Sequence, residues 1–271
     1  DSTLSNQGVD LNEVWLTDSD TRIANTGYFG GGGPISSVYS TMDKVTYASD
    51  TTAAVPGANL SVGRNGFGAT GSSAAGYFGG GNSGPSVVYY STVDKLTYLL
   101  DTTSAVPGAA LTVARRGVAA TGSSNAGYFG GGFAPGGLYS LMNKVTYALD
   151  TTAAVPGAAL SAARQYLTAT GNTSAGYFGG GSNPQYSTMD KVTYSTDTRS
   201  TVPGAALTVA RDYLAATGSS AAGYFGGGYV NPLPYSTVDK LTYASDTTAA
   251  VPGAALSFTR IIPVSYTHLR A

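Results

Sequence analysis

Aspartate is the one acid–base side chain that recurs through this chain, and its neighbours decide what it can do. Asp43, Asp94, Asp190 and Asp239 each stand beside a lysine, whereas Asp50, Asp101, Asp150, Asp197 and Asp246 each precede a threonine. Two carboxylates held at a suitable separation could carry general acid–base chemistry or cleave a glycosidic bond. These neighbours favour another reading, surface ion pairs for the first set and backbone-bonding turn caps for the second. The third unit even replaces the first of these acids by Asn143. A serine or threonine nucleophile needs a base within hydrogen-bond reach. The only histidine is His268 and the only glutamate is Glu13, so no such base recurs. Asp18-x-Asp20 echoes the start of a calcium loop without its glycine and closing glutamate. The triple glycines lack the Lys-Ser/Thr and the helix of a phosphate-binding loop. The expectation is a protein that is not an enzyme, with no catalytic residue, metal or cofactor.

What the residues do show is repetition. Gly-Tyr-Phe-Gly-Gly-Gly begins at Gly27, Gly76, Gly127, Gly176 and Gly223, at spacings of 49, 51, 49 and 47 residues. Val-Pro-Gly recurs in step from Val55, Val106, Val155, Val202 and Val251. A period near 50 carrying several short strand-like runs marks a propeller with one blade per repeat. In the unit from Arg115 to Arg164, Val118–Thr121, Ala126–Gly130 and Leu141–Tyr147 read as three strands. Asp150-Thr-Thr with Val155-Pro-Gly reads as turn chemistry, and Ala159–Ala163 as the fourth strand. Small residues in the first two strands suit the crowded axis, and bulkier ones the rim. A β-solenoid is the structural rival, but its shorter coils would need two unlike turns per period. The expected fold class is therefore all-β, a propeller of four-stranded antiparallel blades with five kelch-length repeats, standing alone or as a fragment of a larger ring.

Composition narrows the partners. Charged residues make up 11% of the chain and the net charge is −1, so no basic field is present to neutralise phosphates. Nucleic-acid binding is therefore not expected. No apolar run is long enough to span a bilayer, and the first residues do not resemble a secretion signal. Cysteine is absent, which leaves packing and closure to hold the fold.

Hydrophobic residues running into paired glycines, then a polar third strand, then a closing arginine, resemble a kelch repeat over residues 27–260. The usual kelch tryptophan is missing; Tyr47, Tyr98, Tyr147, Tyr194 and Tyr243 end the third strand instead. In wording, Arg-x-x-x-Ala-Thr-Gly…Gly-Tyr-Phe-Gly-Gly-Gly…Asp-Lys-Val-Thr-Tyr is similar to repeat proteins of marine tailed phages, some of them tail or fibre components. That resemblance implies a virion or extracellular location.

The ends depart from the period. Residues 1–26 hold Glu13–Thr17 and Asp18–Thr21, which read as a degenerate third strand and its turn. Residues 261–271 look like a translated sequencing-adapter tail, which would make the natural protein longer. The alternative is a closing strand, with Ile261–Thr267 pairing beside Thr26–Gly30.

In an up-and-down blade the turns alternate between the two ends of the ring. At one end, expected to carry Gly-Ser-Ser-Ala-Ala and Asp-Thr-Thr-Ala-Ala-Val-Pro-Gly, the repeats agree. At the other, the loops Gly33–Val38, Asn82–Tyr89, Phe133–Leu138, Ser182–Gln185 and Tyr229–Pro234 differ in length and content. That end carries Tyr89, Tyr90, Phe133 and Tyr229, and the closing Arg64, Arg115, Arg164, Arg211 and Arg260 fall towards it. Loops on a rigid scaffold are where binding residues concentrate, and tyrosine gives contact area at little entropic cost. These residues are the candidate ligand contacts, for a host-surface glycan or protein or for another virion protein. An arginine repeated once per blade also suits a bridge to the next blade. A multivalent lectin with one sugar per blade junction is the alternative function. It requires the same aromatics at each junction, and the loops do not repeat theirs. A propeller enzyme with its active site outside this sequence is a third reading, since fold alone does not decide function.

Overall fold

The computed structural model describes residues 26–33, 37–84 and 88–259. They form a five-bladed β-propeller of antiparallel sheets. In the third blade Ala119–Gly122 is innermost, followed outward by Ala126–Gly130, Met142–Thr146 and Thr151–Ala154. The second, fourth and fifth blades repeat that order. The first shows Thr26–Gly30, Met42–Thr46 and Thr51–Ala54 among the described residues. The innermost strands Gly68–Gly71, Ala119–Gly122, Thr168–Gly171 and Ala215–Gly218 touch in succession around the axis. The expected closing strand, Ile261–Thr267, and the Asp18-x-Asp20 stretch lie outside the described residues.

Two sequence expectations are corrected. The outer strand is Thr151–Ala154, paired with the third strand from Asn143↔Ala154 to Thr146↔Thr151. The run Ala159–Ala163 is not a strand; it crosses back towards the axis and drops Leu160 into the core. The chain reverses earlier than expected, at a turn ending on Asp150, whose φ of 50° lies in the left-handed region. Aspartate tolerates that region better than most residues. Val155-Pro-Gly then forms a single 3₁₀ turn, Pro156–Ala158, after the outer strand. It therefore sits at the variable-loop end rather than opposite it.

The core is not central. It is divided into layers between successive blades, and the second strand explains why. Alternation sends its Tyr to one face and its Phe to the other. Tyr77 stacks on Tyr147 of the next blade with ring centroids 4.6 Å apart, and Phe129 of that next blade packs back into the same layer. The glycine after each Phe makes room for this. A Cβ on Gly79 would stand 2.7 Å from the Phe129 ring. Tyr28–Tyr98, Tyr128–Tyr194 and Tyr177–Tyr243 repeat the stack in the other three described layers.

A polar clasp closes the rim of each layer. The Tyr77 hydroxyl donates to Asp150 at 2.6 Å, and Lys95 meets the same carboxylate at 2.7 Å. Asp101, Asp197 and Asp246 receive Tyr28 with Lys44, Tyr128 with Lys144, and Tyr177 with Lys191 in the same way. The turn aspartates are thus inter-blade acceptors as well as turn residues.

This arrangement makes the fold sensitive to alkali. Burial, and for three of them the hydrogen bond to aspartate, raises Tyr77, Tyr128, Tyr177, Tyr194, Tyr213 and Tyr243 above the ordinary tyrosine value. An acid raised in the folded state stabilises fully below its unfolded pKa of about 10 and loses that contribution as pH rises further. Three arginines depressed by burial push the other way, but they are fewer and their unfolded pKa is higher. We expect unfolding above about pH 10, with tyrosinate absorbance rising together with loss of near-ultraviolet circular dichroism. Tyrosinate formation with intact circular dichroism would contradict it.

Candidate recognition surface

The structure changes the role of the closing arginines. Arg64, Arg115, Arg164 and Arg211 are fully buried and present no face to an external ligand, which corrects their expected place among the ligand contacts. Arg260 lies outside the described residues. Each backbone N–H bonds a tyrosine carbonyl of the preceding blade, at Tyr39, Tyr90, Tyr139 and Tyr186. Each guanidinium reaches into the following blade. There it meets the carbonyl of the second-strand Phe and a third-strand side chain: Asp94, Asn143, Asp190 or Asp239. The bridging alternative describes them. It also corrects the surface-pair reading of Asp94, Asp190 and Asp239, which are buried on the opposite strand face from their neighbouring lysines. Arg115 alone has no carboxylate there, and burial pushes its guanidinium down to about 10.

The predicted aromatics divide. Tyr90 occupies the once-per-blade position of Tyr39, Tyr139 and Tyr186, and its carbonyl accepts from Arg115. Tyr89, Phe133 and Tyr229 belong to the variable end. Phe133 and Tyr229 lie on short two-residue hairpin strands, Phe133–Ala134 and Tyr229–Val230. Tyr89 lies 6.0 Å from Phe133 across a blade boundary. The Arg116 guanidinium sits between Phe133 at 5.6 Å and Tyr166 of the next blade at 5.7 Å. Tyr166 stacks on Tyr213 at 4.0 Å. An arc of rings and one cation thus crosses four blades, where cation–π attraction adds to stacking. Tyr229 stands beside it. Gln185 Nε2 donates both to the Tyr229 carbonyl at 2.8 Å and to Asp212 at 2.9 Å. Burial raises the Asp212 carboxyl above its ordinary range, against the hydrogen bonds it accepts.

The arc borders the axis. Gly66, Gly117, Tyr166 and Tyr213 hold the same place before four innermost strands, all with φ between 52° and 66°. The backbone links them in a relay: Gly117 N–H to Gly66, Tyr166 N–H to Gly117, and Tyr213 N–H to Tyr166. With Phe67, Val118, Leu167 and Leu214 they line an open cup of about 120 Å³. No family model and no curated protein matches this chain. The site therefore stands on its own geometry.

Sequence reasoning missed Arg116, Tyr166, Asp212 and Tyr213, although a signal was present. Each closing arginine is followed by a different triplet: Asn65-Gly-Phe, Arg116-Gly-Val, Gln165-Tyr-Leu and Asp212-Tyr-Leu. The flanking text repeats nearly unchanged. The first residue of each triplet pairs with the first residue after the glycines, Asn82, Phe133, Ser182 and Tyr229. Two variable stretches distant in sequence therefore meet at one mouth. The arrangement suits non-covalent recognition of a ring or flat apolar face with hydroxyls at its edge.

Proposed function

We propose that this propeller is a non-enzymatic binding module that recognises its partner through the variable-loop end and axial mouth. One observation carries the reading: residues that break the repeat gather at one end of the ring, while the opposite turns stay uniform. A purely structural ring needs no such polarity. The resemblance to tail and fibre repeats of marine phages favours an adhesion or assembly component of a virion, extracellular in use. Its partner would be a host-surface glycan or protein, or another virion protein. Nothing in the charge balance favours nucleic acid. Among the described residues no helix is long and apolar enough to cross a membrane. The multivalent lectin reading is weaker, because the blade junctions carry unlike side chains.

The test is a glycan array probed with the intact chain and with a Phe133→Ala/Tyr229→Ala double variant, beside pull-downs on host surface extracts. Both side chains are only half-buried, so the double variant is expected to keep its melting temperature and lose binding at least about tenfold, the loss of some 1.4 kcal/mol. Unchanged binding would clear this end of responsibility.

A further inference from the structure

We infer that the propeller joins head to tail with a second copy of itself, the open face of the fifth blade in one copy covering the open face of the first blade in the next. This goes beyond the recognition reading and does not depend on it. Each described layer shows what a blade face binds. One side brings the second-strand tyrosine and the leucine of the crossing segment, as Tyr77 and Leu111 do. The other brings the second-strand phenylalanine and the tyrosine that ends the third strand, as Phe129 and Tyr147 do. Five blades in succession leave half a layer at each end, and among the described residues the two halves do not meet. A Cβ on Gly57, Gly108, Gly157 or Gly204 would stand 2.8–3.0 Å from the turn aspartate's carbonyl in the next blade; one on Gly253 meets nothing within 4 Å. On the first blade Phe29 is 44% and Tyr47 47% exposed, against 0% and 8% for Phe129 and Tyr147. On the fifth blade Ala254 is exposed and Leu256 half-buried, although their counterparts Ala205 and Leu207 are buried.

Charge selects the occupant and its orientation. Asp101, Asp150, Asp197 and Asp246 each receive a tyrosine hydroxyl and a lysine from the blade before. Asp50, exposed on the first blade, has no such donors among the described residues, and Tyr224 with Lys240 on the fifth has no such aspartate. Lys240 already sits over the Tyr224 ring at 6.0 Å, as Lys95 sits over Tyr77 at 5.6 Å in a finished clasp. Asp43 adds a second exposed carboxylate to the first blade, opposite Phe29 across the strands. Two first-blade faces would set aspartates against aspartates, and two fifth-blade faces lysine against lysine, so only unlike faces match. A partner of other sequence would have to reproduce the ring stack, the phenylalanine and the clasp together. A second copy carries all three in register. Exposed apolar faces rimmed by polar groups mark such contacts. The joint is heterologous, so successive copies close a larger ring or wind into an open filament, as the rotation at each layer dictates.

Sedimentation velocity of the intact chain over a range of concentrations is the test. The expected mass exceeds one chain and rises with concentration. Phe29→Ala/Asp50→Asn disables the first-blade face, and asparagine tolerates the left-handed φ of 50° at that turn. Tyr224→Ala/Lys240→Glu disables the fifth-blade face. Both variants alter side chains that no other blade covers among the described residues, so at dilution their melting temperatures should match that of the intact chain. Each variant alone should stay a single chain where the intact chain associates, its affinity lowered at least about tenfold. Mixed, the two should form a pair of one each and nothing larger, because each keeps the face that the other lost. An intact chain that stays single at every concentration would overturn the joint. Association that survives both variants, or folded variants that do not recombine, would do the same. Binding at the variable-loop end should be equal in all three proteins, so the recognition reading and the joint fail separately.

Discussion

Asp190→Ala is expected to destabilise the propeller by about 3–5 kcal/mol, the range for removing one partner of a fully buried ion pair. Arg164 lies 2.9 Å from Asp190, and both side chains have no solvent exposure. Deleting the carboxylate strands a guanidinium whose Nε and Nη1 already lack hydrogen-bond partners. The loss would not measure what the pair adds over an apolar pair, because desolvation offsets most of the attraction. The third blade supplies the reciprocal experiment. Arg115 there meets Asn143 Oδ1 at 2.9 Å rather than a carboxylate. Asn143→Asp should raise stability by about 1–3 kcal/mol, as a hydrogen bond charged only on the arginine side gains an opposite charge. Urea unfolding of the two variants checks both signs. A stable Asp190→Ala, or a destabilised Asn143→Asp, would mean that the guanidiniums are compensated by their carbonyl contacts alone.

Phe178→Ala is the second large effect, at about 3–5 kcal/mol for a buried aromatic. Its ring is fully enclosed between the third and fourth blades and presses on the position of Gly130. The layer around it is built from both blades and has no slack to refill the space. The same substitution at Phe29, which is 44% exposed, should cost less than about 1 kcal/mol. Identical residues in identical repeats would thus differ severalfold, because only one has a preceding blade against it among the described residues. Thermal unfolding of the two variants measures the contrast. Equal losses would place the stabilising contacts within blades rather than between them.

The period and the Gly-Tyr-Phe-Gly motif made the propeller legible, because two glycines flanking two aromatics have a packing reason that recurs at each layer. The outer strand was harder to see. Thr151–Ala154 is largely exposed, so no alternation betrays it; pairing with the third strand alone makes it a strand. Ala159–Ala163 misled for the opposite reason, since Leu160 is buried without belonging to any sheet. The arginines were found but placed on the wrong side of the surface. A local sequence does not reveal that Asp94 or Asp190 waits inside the next blade. The axial tyrosines escaped notice because their meaning is comparative: Tyr166 matters as the residue that stands where Gly66 and Gly117 do.

The relay from Gly66 to Tyr213 has an electrostatic corollary. The N–H groups of Gly117, Tyr166 and Tyr213 are each given to a carbonyl of the blade before, so none of the three is free for a guest. A helix terminus aims its N–H groups at a guest and draws anions; here the three relay donors are already spent on carbonyls. These backbone donors therefore add no anion-binding contact at the mouth. Whatever sign a guest carries is left to side chains, of which Arg116 is the cation set among the rings of the arc.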